Sequence, residues 1–169
     1  MTTEKQDIIE AAIHLERDGH TFYLDVAARA ANDAARQMFE SLAEDELLHI
    51  GWIERNLSPS QEAARSAKKK TYDRLRGIFA DMPESARETA ASSEDDIEAI
   101  NRAIKMEEKS RSAYTGWANE TDSDELRDLC NTLADQETFH RQLLENTVQY
   151  LQHTGDWFMV AEGWHFDGG

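Results

Sequence analysis

At 169 residues the chain has the size of one domain, and 40% hydrophobic residues suffice for a single core. Eighteen Lys and Arg against 34 Asp and Glu leave a net charge of −16, which excludes a general basic surface for nucleic acid. No run of about 18 apolar residues could span a membrane, the first residues lack signal-peptide patterning, and the single Cys130 excludes an internal disulfide, so a cytoplasmic protein is expected.

Only 2 Pro and 8 Gly, with abundant Ala, Glu, Leu and Arg, favour helix. A first helix is expected from about residue 4 to 30, with Thr3 as N-cap and Gln6 completing a capping box. Ile8, Ile9, Ala12, Ile13 and Glu16 follow helical spacing along it. Asn32-Asp33 breaks the chain. A second helix then runs to about Leu57 through Met38, Phe39, Leu42, Glu46, His49 and Ile53, and Ser58-Pro59-Ser60 ends it.

Residues 61–92 form a long connection. Within it Leu75, Ile78, Phe79 and Met82 predict a short amphipathic helix that Met82-Pro83 terminates. The locally basic stretch from Arg65 to Arg76 reads as a solvated helix face, with docking of an acidic partner as the alternative. A third helix is expected from about Ser93 to Asn119, with Asp95 and Asp96 favourably placed in its first turn. Thr121-Asp122-Ser123 caps a fourth, running to about Gln152. Residues 153–169 make an aromatic, glycine-bearing tail expected to be irregular and to pack on the bundle or on a neighbouring subunit. Two short helix–helix turns flanking one long connection predict an all-α four-helix bundle over residues 1–152, with one crossover at about 58–92.

The chain also matches itself when shifted by 91 residues without a gap. Residues 9–54 and 100–145 are identical at 13 of 46 positions, where roughly three are expected by chance. The two helix hairpins therefore read as a duplicated unit with an approximate two-fold axis. Each carries a Glu, a Tyr seven residues on, and a Glu-x-x-His thirty residues after the first Glu: Glu16, Tyr23, Glu46 and His49, then Glu107, Tyr114, Glu137 and His140.

Glu and His three apart project from one helix face and can reach one metal ion. The motif alone is weak, because 19 Glu and 6 His predict about 0.7 random matches. The chain holds three. Glu162/His165 lies in the tail without a repeat partner and reads as coincidence. The other two each have an upstream Glu on the preceding helix, which brings four carboxylates and two imidazoles together across the duplication axis. Glu16, Glu46, Glu107 and Glu137 follow apolar residues at helical spacing and so face inward. Four inward carboxylates without cations would have to bind protons. Two divalent ions cancel the four charges, and each can take one Glu-x-x-His pair plus a terminal Glu, with two Glu bridging. Hard oxygen ligands with two imidazoles suit iron or manganese, singly or mixed.

The segments AIHLERDGHTFY, LAEDELLH, AIKMEEKSRSAY and LADQETFH resemble the ferritin-like superfamily, and within it a rubrerythrin-type protein, over about residues 5–152. The ligand pattern is the one described for di-iron and di-manganese carboxylate bundles. The resemblance implies two Fe ions, with Glu16 and Glu107 as terminal ligands, Glu46 and Glu137 as bridges, and His49 and His140 as one nitrogen ligand each. It also implies that Tyr23 and Tyr114 hydrogen-bond the ligand carboxylates. The metal centre itself is then the catalytic group, with no separate acid or base.

Two departures mark the chain. Ser110 stands where rubrerythrins carry a further Glu, which leaves a six-ligand set equally similar to the bacterioferritin-type centre. One Cys excludes the two CxxC motifs of a rubredoxin module, so a separate electron donor is expected. The implied activity is two-electron reduction of hydrogen peroxide. The alternatives are a ferroxidase reacting with O2 or peroxide in iron storage or detoxification, and a non-catalytic helical interaction module clamped by metal. A homodimer or higher homo-oligomer is expected. His20, one turn past Glu16, has Arg111 as repeat partner and reads as a solvent-facing or supporting residue. Cys130 reads as a packed thiol, and Trp52 and Trp117 as walls of the site or core.

Overall fold

A computed structural model describes residues 3–80 and 82–152, all helix and short connections. Six helices follow in order: α1 (Thr3–Arg29), α2 (Asp33–Arg55), α3 (Gln61–Ala80), α4 (Glu84–Ser92), α5 (Glu94–Glu120) and α6 (Asp124–Gln152). The pairs α1–α2 and α5–α6 form the two main hairpins, while α3 lies across α2 and α6, and α4 across α5 and α6. This is the all-α bundle with a single crossover, as expected for a ferritin-like fold. The aromatic tail, and with it Glu162/His165 and His153, lies outside the described residues.

Local chemistry explains the boundaries. Asn32 caps α2 by accepting from Ala35 N at 2.9 Å, and Ser93 caps α5 by accepting from Asp96 N at 3.3 Å. Ser123 accepts from Leu126 N at 3.3 Å and starts α6. Helix α2 ends at Asn56, whose φ of 50° places it in the left-handed region that Asn tolerates. Asp96 accepts from Ala31 N and Asn32 Nδ2, at 3.0 and 2.8 Å, and so ties the first turn of α5 to the α1–α2 corner.

The crossover differs from expectation in extent. Helix α3 runs for 20 residues, and α4 adds a second helix after Pro83. Only Thr71, Leu75 and Phe79 of α3 are buried, so its first half carries no apolar period to read. Ala, Lys, Arg and Gln still favour helix there. Its basic side chains find partners on the bundle: Lys68 Nζ lies 2.6 Å from Asp135 Oδ2, and Arg74 Nη1 lies 2.6 Å from Glu44 Oε2. The basic stretch therefore meets the protein's own acidic helices. These part-exposed pairs each contribute little, about 0–1 kcal/mol, but they fix the register of α3.

The buried apolar residues form two clusters. One gathers Tyr23, Met38, Phe39, Leu42, Leu75, Phe79, Ile100 and Leu143. The other gathers Ile8, Trp52, Ile53, Tyr114, Leu126, Leu129, Cys130 and Leu133. Along all four long helices the residues between these clusters are the inward Glu and His positions. Burial pushes the Cys130 thiol up to about 11, which suits packing rather than reactivity.

Candidate metal centre

Each long helix delivers its polar side chains at the point where it passes from one apolar cluster to the other. Glu16, Glu46, His49, Glu107, Glu137 and His140 are all buried, none more than 2% exposed. Their ligand-type atoms fall into two groups of four, Glu16, Glu46, His49 and Glu137, then Glu46, Glu107, Glu137 and His140. Within each group the atoms lie no more than 4.8 Å apart. Glu46 and Glu137 belong to both groups.

Nδ1 of His49 lies 3.1 Å from Glu16 Oε2, 3.2 Å from Glu46 Oε2 and 3.4 Å from Glu137 Oε1. Nδ1 of His140 lies 3.6 Å from Glu107 Oε1 and 3.8 Å from Glu46 Oε1. The two imidazoles stack at 5.4 Å between centroids. Trp52 packs 5.3 Å from His49, and Trp117 packs 5.5 Å from Tyr114. The tyrosines cross between hairpins. Tyr23 of α1 donates to Glu107 Oε1 of α5, and Tyr114 of α5 donates to Glu16 Oε1 of α1. Burial and the neighbouring carboxylates push both phenols well above their ordinary value, so they remain neutral donors.

The electrostatics separate the carboxylates into two kinds. Two carboxylates 4.8 Å apart repel by about 3–4 kcal/mol at an effective dielectric of about 20. For Glu46 and Glu137, burial and then the charges of Glu16 and Glu107 drive the carboxyls well above the usual range. Burial also raises Glu16, but the His49 charge and hydrogen bonds outweigh it and hold it at about 2. Glu107 is likewise lowered, as the neighbouring Glu137 and His140 and the Tyr23 hydroxyl outweigh burial. Burial opposes charging of the imidazoles and is overcome by Glu16 at His49 and by Asp45 and Glu107 at His140, which rises to about 9.

Asp45 and Thr71 were not visible as site residues in the sequence. Asp45 Oδ2 lies 3.3 Å from His140 Nε2 and accepts from Thr71 Oγ1 at 2.5 Å. Thr71 comes from the crossover helix. The available signal was that Asp45 directly precedes Glu46 and that Gln136, polar at the same register, precedes Glu137. Gly19 is the other unremarked contributor: a Cβ there would lie 3.5 Å from the Glu46 carboxyl, so a larger side chain would crowd it. Its repeat partner, Ser110, is buried.

Other candidates fall away from the centre. Glu108 is paired with Arg111 at 2.6 Å on the surface, which leaves Glu107 as the inward residue of the pair. His20 is half-buried and belongs to neither group of four. His14 is exposed, 3.5 Å from Asp18.

The donor set fits two metal ions. Glu107 Oε2, Glu137 Oε1 and His140 Nδ1 are buried without a hydrogen-bond partner, and each such group costs about 1–3 kcal/mol unless something binds it. Because Nε2 of His140 faces Asp45, its Nδ1 is left to face the carboxylates. A buried set of four carboxylates and two imidazoles in a helical bundle is the donor set that suits a di-metal site. Among the described residues no helix is long and apolar enough to cross a membrane. The rubrerythrin family model matches residues 7–147. No curated protein and no solved structure matches the chain.

Proposed function

The chain belongs to the rubrerythrin family, and on that premise we propose that it is a di-iron oxidoreductase that reduces hydrogen peroxide with electrons from an external donor. Glu16 and His49 would hold one iron and Glu107 and His140 the other, with Glu46 and Glu137 available to both. The observation that carries this reading is the pair of four-residue groups sharing Glu46 and Glu137.

Two ferrous ions bound there supply two electrons, the number needed to break one O–O bond and, with two protons, give two waters. The chain's own residues prepare for that exchange. Tyr23 and Tyr114 hold the outer carboxylates by their Oε1 atoms. Asp45 keeps the Nε2 proton of His140 turned away from the centre. The apolar clusters on either side exclude bulk water and strengthen every charge interaction between them. The imidazoles serve coordination and not acid–base work.

Ser110 favours a second reading, a ferroxidase, because the carboxylate that rubrerythrins carry at that position is missing. Anaerobic Fe(II) titration followed by stopped-flow spectra separates the two. Peroxidase action predicts fast oxidation by hydrogen peroxide and slow oxidation by O2. Equal rates with both oxidants remove the first reading and leave the ferroxidase. No spectral change with peroxide removes both.

A further inference from the structure

The duplication places two Glu-x-x-His motifs in matching registers, yet the residue before each motif differs: Asp45 in α2 and Gln136 in α6. In the structure the difference reaches the centre. Asp45 Oδ2 sits 3.3 Å from Nε2 of His140, across from its own helix, and is itself held by Thr71 Oγ1. Gln136 is buried but makes no matching contact. Its Nε2 donates to Ala64 O at 3.4 Å, on the crossover helix. The carboxylates paired with His49 all lie at Nδ1, and its ring rests against Trp52.

We infer that the two metal positions are inequivalent, and that Asp45 is the positioning residue that makes the His140 position the tighter one. The inference rests on the di-metal reading of the centre. A carboxylate on the outer nitrogen of a ligating histidine fixes the tautomer, orients the ring and raises the basicity of the inner nitrogen. His140 has that partner and His49 has none among the described residues. Thr71 anchors Asp45, so the crossover helix helps set the strength of one metal position. Gln136 spends its amide on the same helix and leaves the other position without a charged support.

The test is anaerobic Co(II) titration of the full chain, followed by visible absorption. Two resolved steps are expected. Asp45→Asn should weaken the tighter step by about 10- to 100-fold, the range typical for partners of ligating histidines, and change the weaker step by less than about threefold. Gln136→Asp places a carboxylate on the His49 side and should narrow the gap between the steps, which keeps the inference testable should Asp45→Asn fold poorly. Proton NMR of the Co(II)-loaded protein adds a readout that packing alone does not move. One imidazole N–H should exchange slowly with solvent, and Asp45→Asn should abolish that protection. Equal weakening of both steps by Asp45→Asn, or steps of equal affinity in the unaltered protein, overturns the inference and leaves the di-metal reading standing. Uptake of fewer than two Co(II) by the unaltered protein overturns the di-metal reading itself.

Discussion

Loading the centre with metal should release protons in a number set by its electrostatics. In the metal-free chain Glu46 and Glu137 are pushed up and hold protons, while Glu16 and Glu107 are pushed down and are ionised. His49 and His140 are pushed up and are charged at neutral pH. Two imidazolium charges balance two carboxylate charges, so the metal-free cluster is neutral. With four ionised carboxylates, two neutral imidazoles and two divalent ions, the loaded cluster is neutral as well. Loading therefore exchanges two metal ions for about four protons, or about two per metal. The assay is anaerobic addition of Fe(II) or Co(II) to weakly buffered protein at pH 7, with an indicator dye, or calorimetry in buffers of different ionisation enthalpy. The apparent affinity of each metal should rise about 100-fold per pH unit near neutrality, and at the His140 position the rise should slacken to about tenfold per unit above pH 9, where His140 has lost its proton. Release of one proton or fewer per chain at pH 7 would refute the assigned protonation pattern.

The same shifts predict how the metal-free protein responds to pH. His140, raised from 6.5 to about 9, contributes stability that is complete below 6.5 and lost as pH rises through 9. Glu46 and Glu137, raised from 4.5, contribute stability that is lost as pH rises above 4.5, so thermal melting of metal-free protein should fall from pH 4.5 to 9 and be far less sensitive once loaded. Removing the phenol in Tyr23→Phe leaves a buried Glu107 oxygen without its donor, at a cost of about 1–3 kcal/mol in metal-free melting. Because the contact crosses between hairpins, metal titration of that variant should show the His140 position weakened, and Tyr114→Phe should weaken the His49 position instead. Glu46→Ala or Glu137→Ala should lower occupancy at both positions. Elemental analysis giving two full equivalents of metal in either variant would rule out bridging.

Much of this architecture can be read in the sequence because it is periodic. Helical spacing finds the four long helices, Asn32, Ser93 and Ser123 mark their starts, and the 91-residue repeat separates the two inward Glu-x-x-His motifs from Glu162/His165. What escaped has a common cause: it depends on which helices meet. The spacing from Glu16 to Tyr23 gives a shared face, but only the packing of α1 against α5 shows that Tyr23 serves Glu107. Asp45 resembles any acid on an acidic helix until α6 places His140, and α3 places Thr71, against it. The first half of α3 buries no side chain and meets α6 through the Lys68–Asp135 pair, which leaves no apolar period to detect.

The crossed tyrosines bear on how such a site can come into being. A single hairpin could supply one terminal Glu, one Glu-x-x-His and one Tyr, but that Tyr would point to a carboxylate belonging to another hairpin. Standing alone, the unit is incomplete, and two separate copies would assemble a centre only as fast and as fully as their concentration allowed. Joining the copies through the crossover turns that encounter into an intramolecular one, with an effective concentration set by the linker. Assembly of the site then no longer depends on how many chains are present. The two copies, freed from being identical, can diverge, as Asp45 and Gln136 already have.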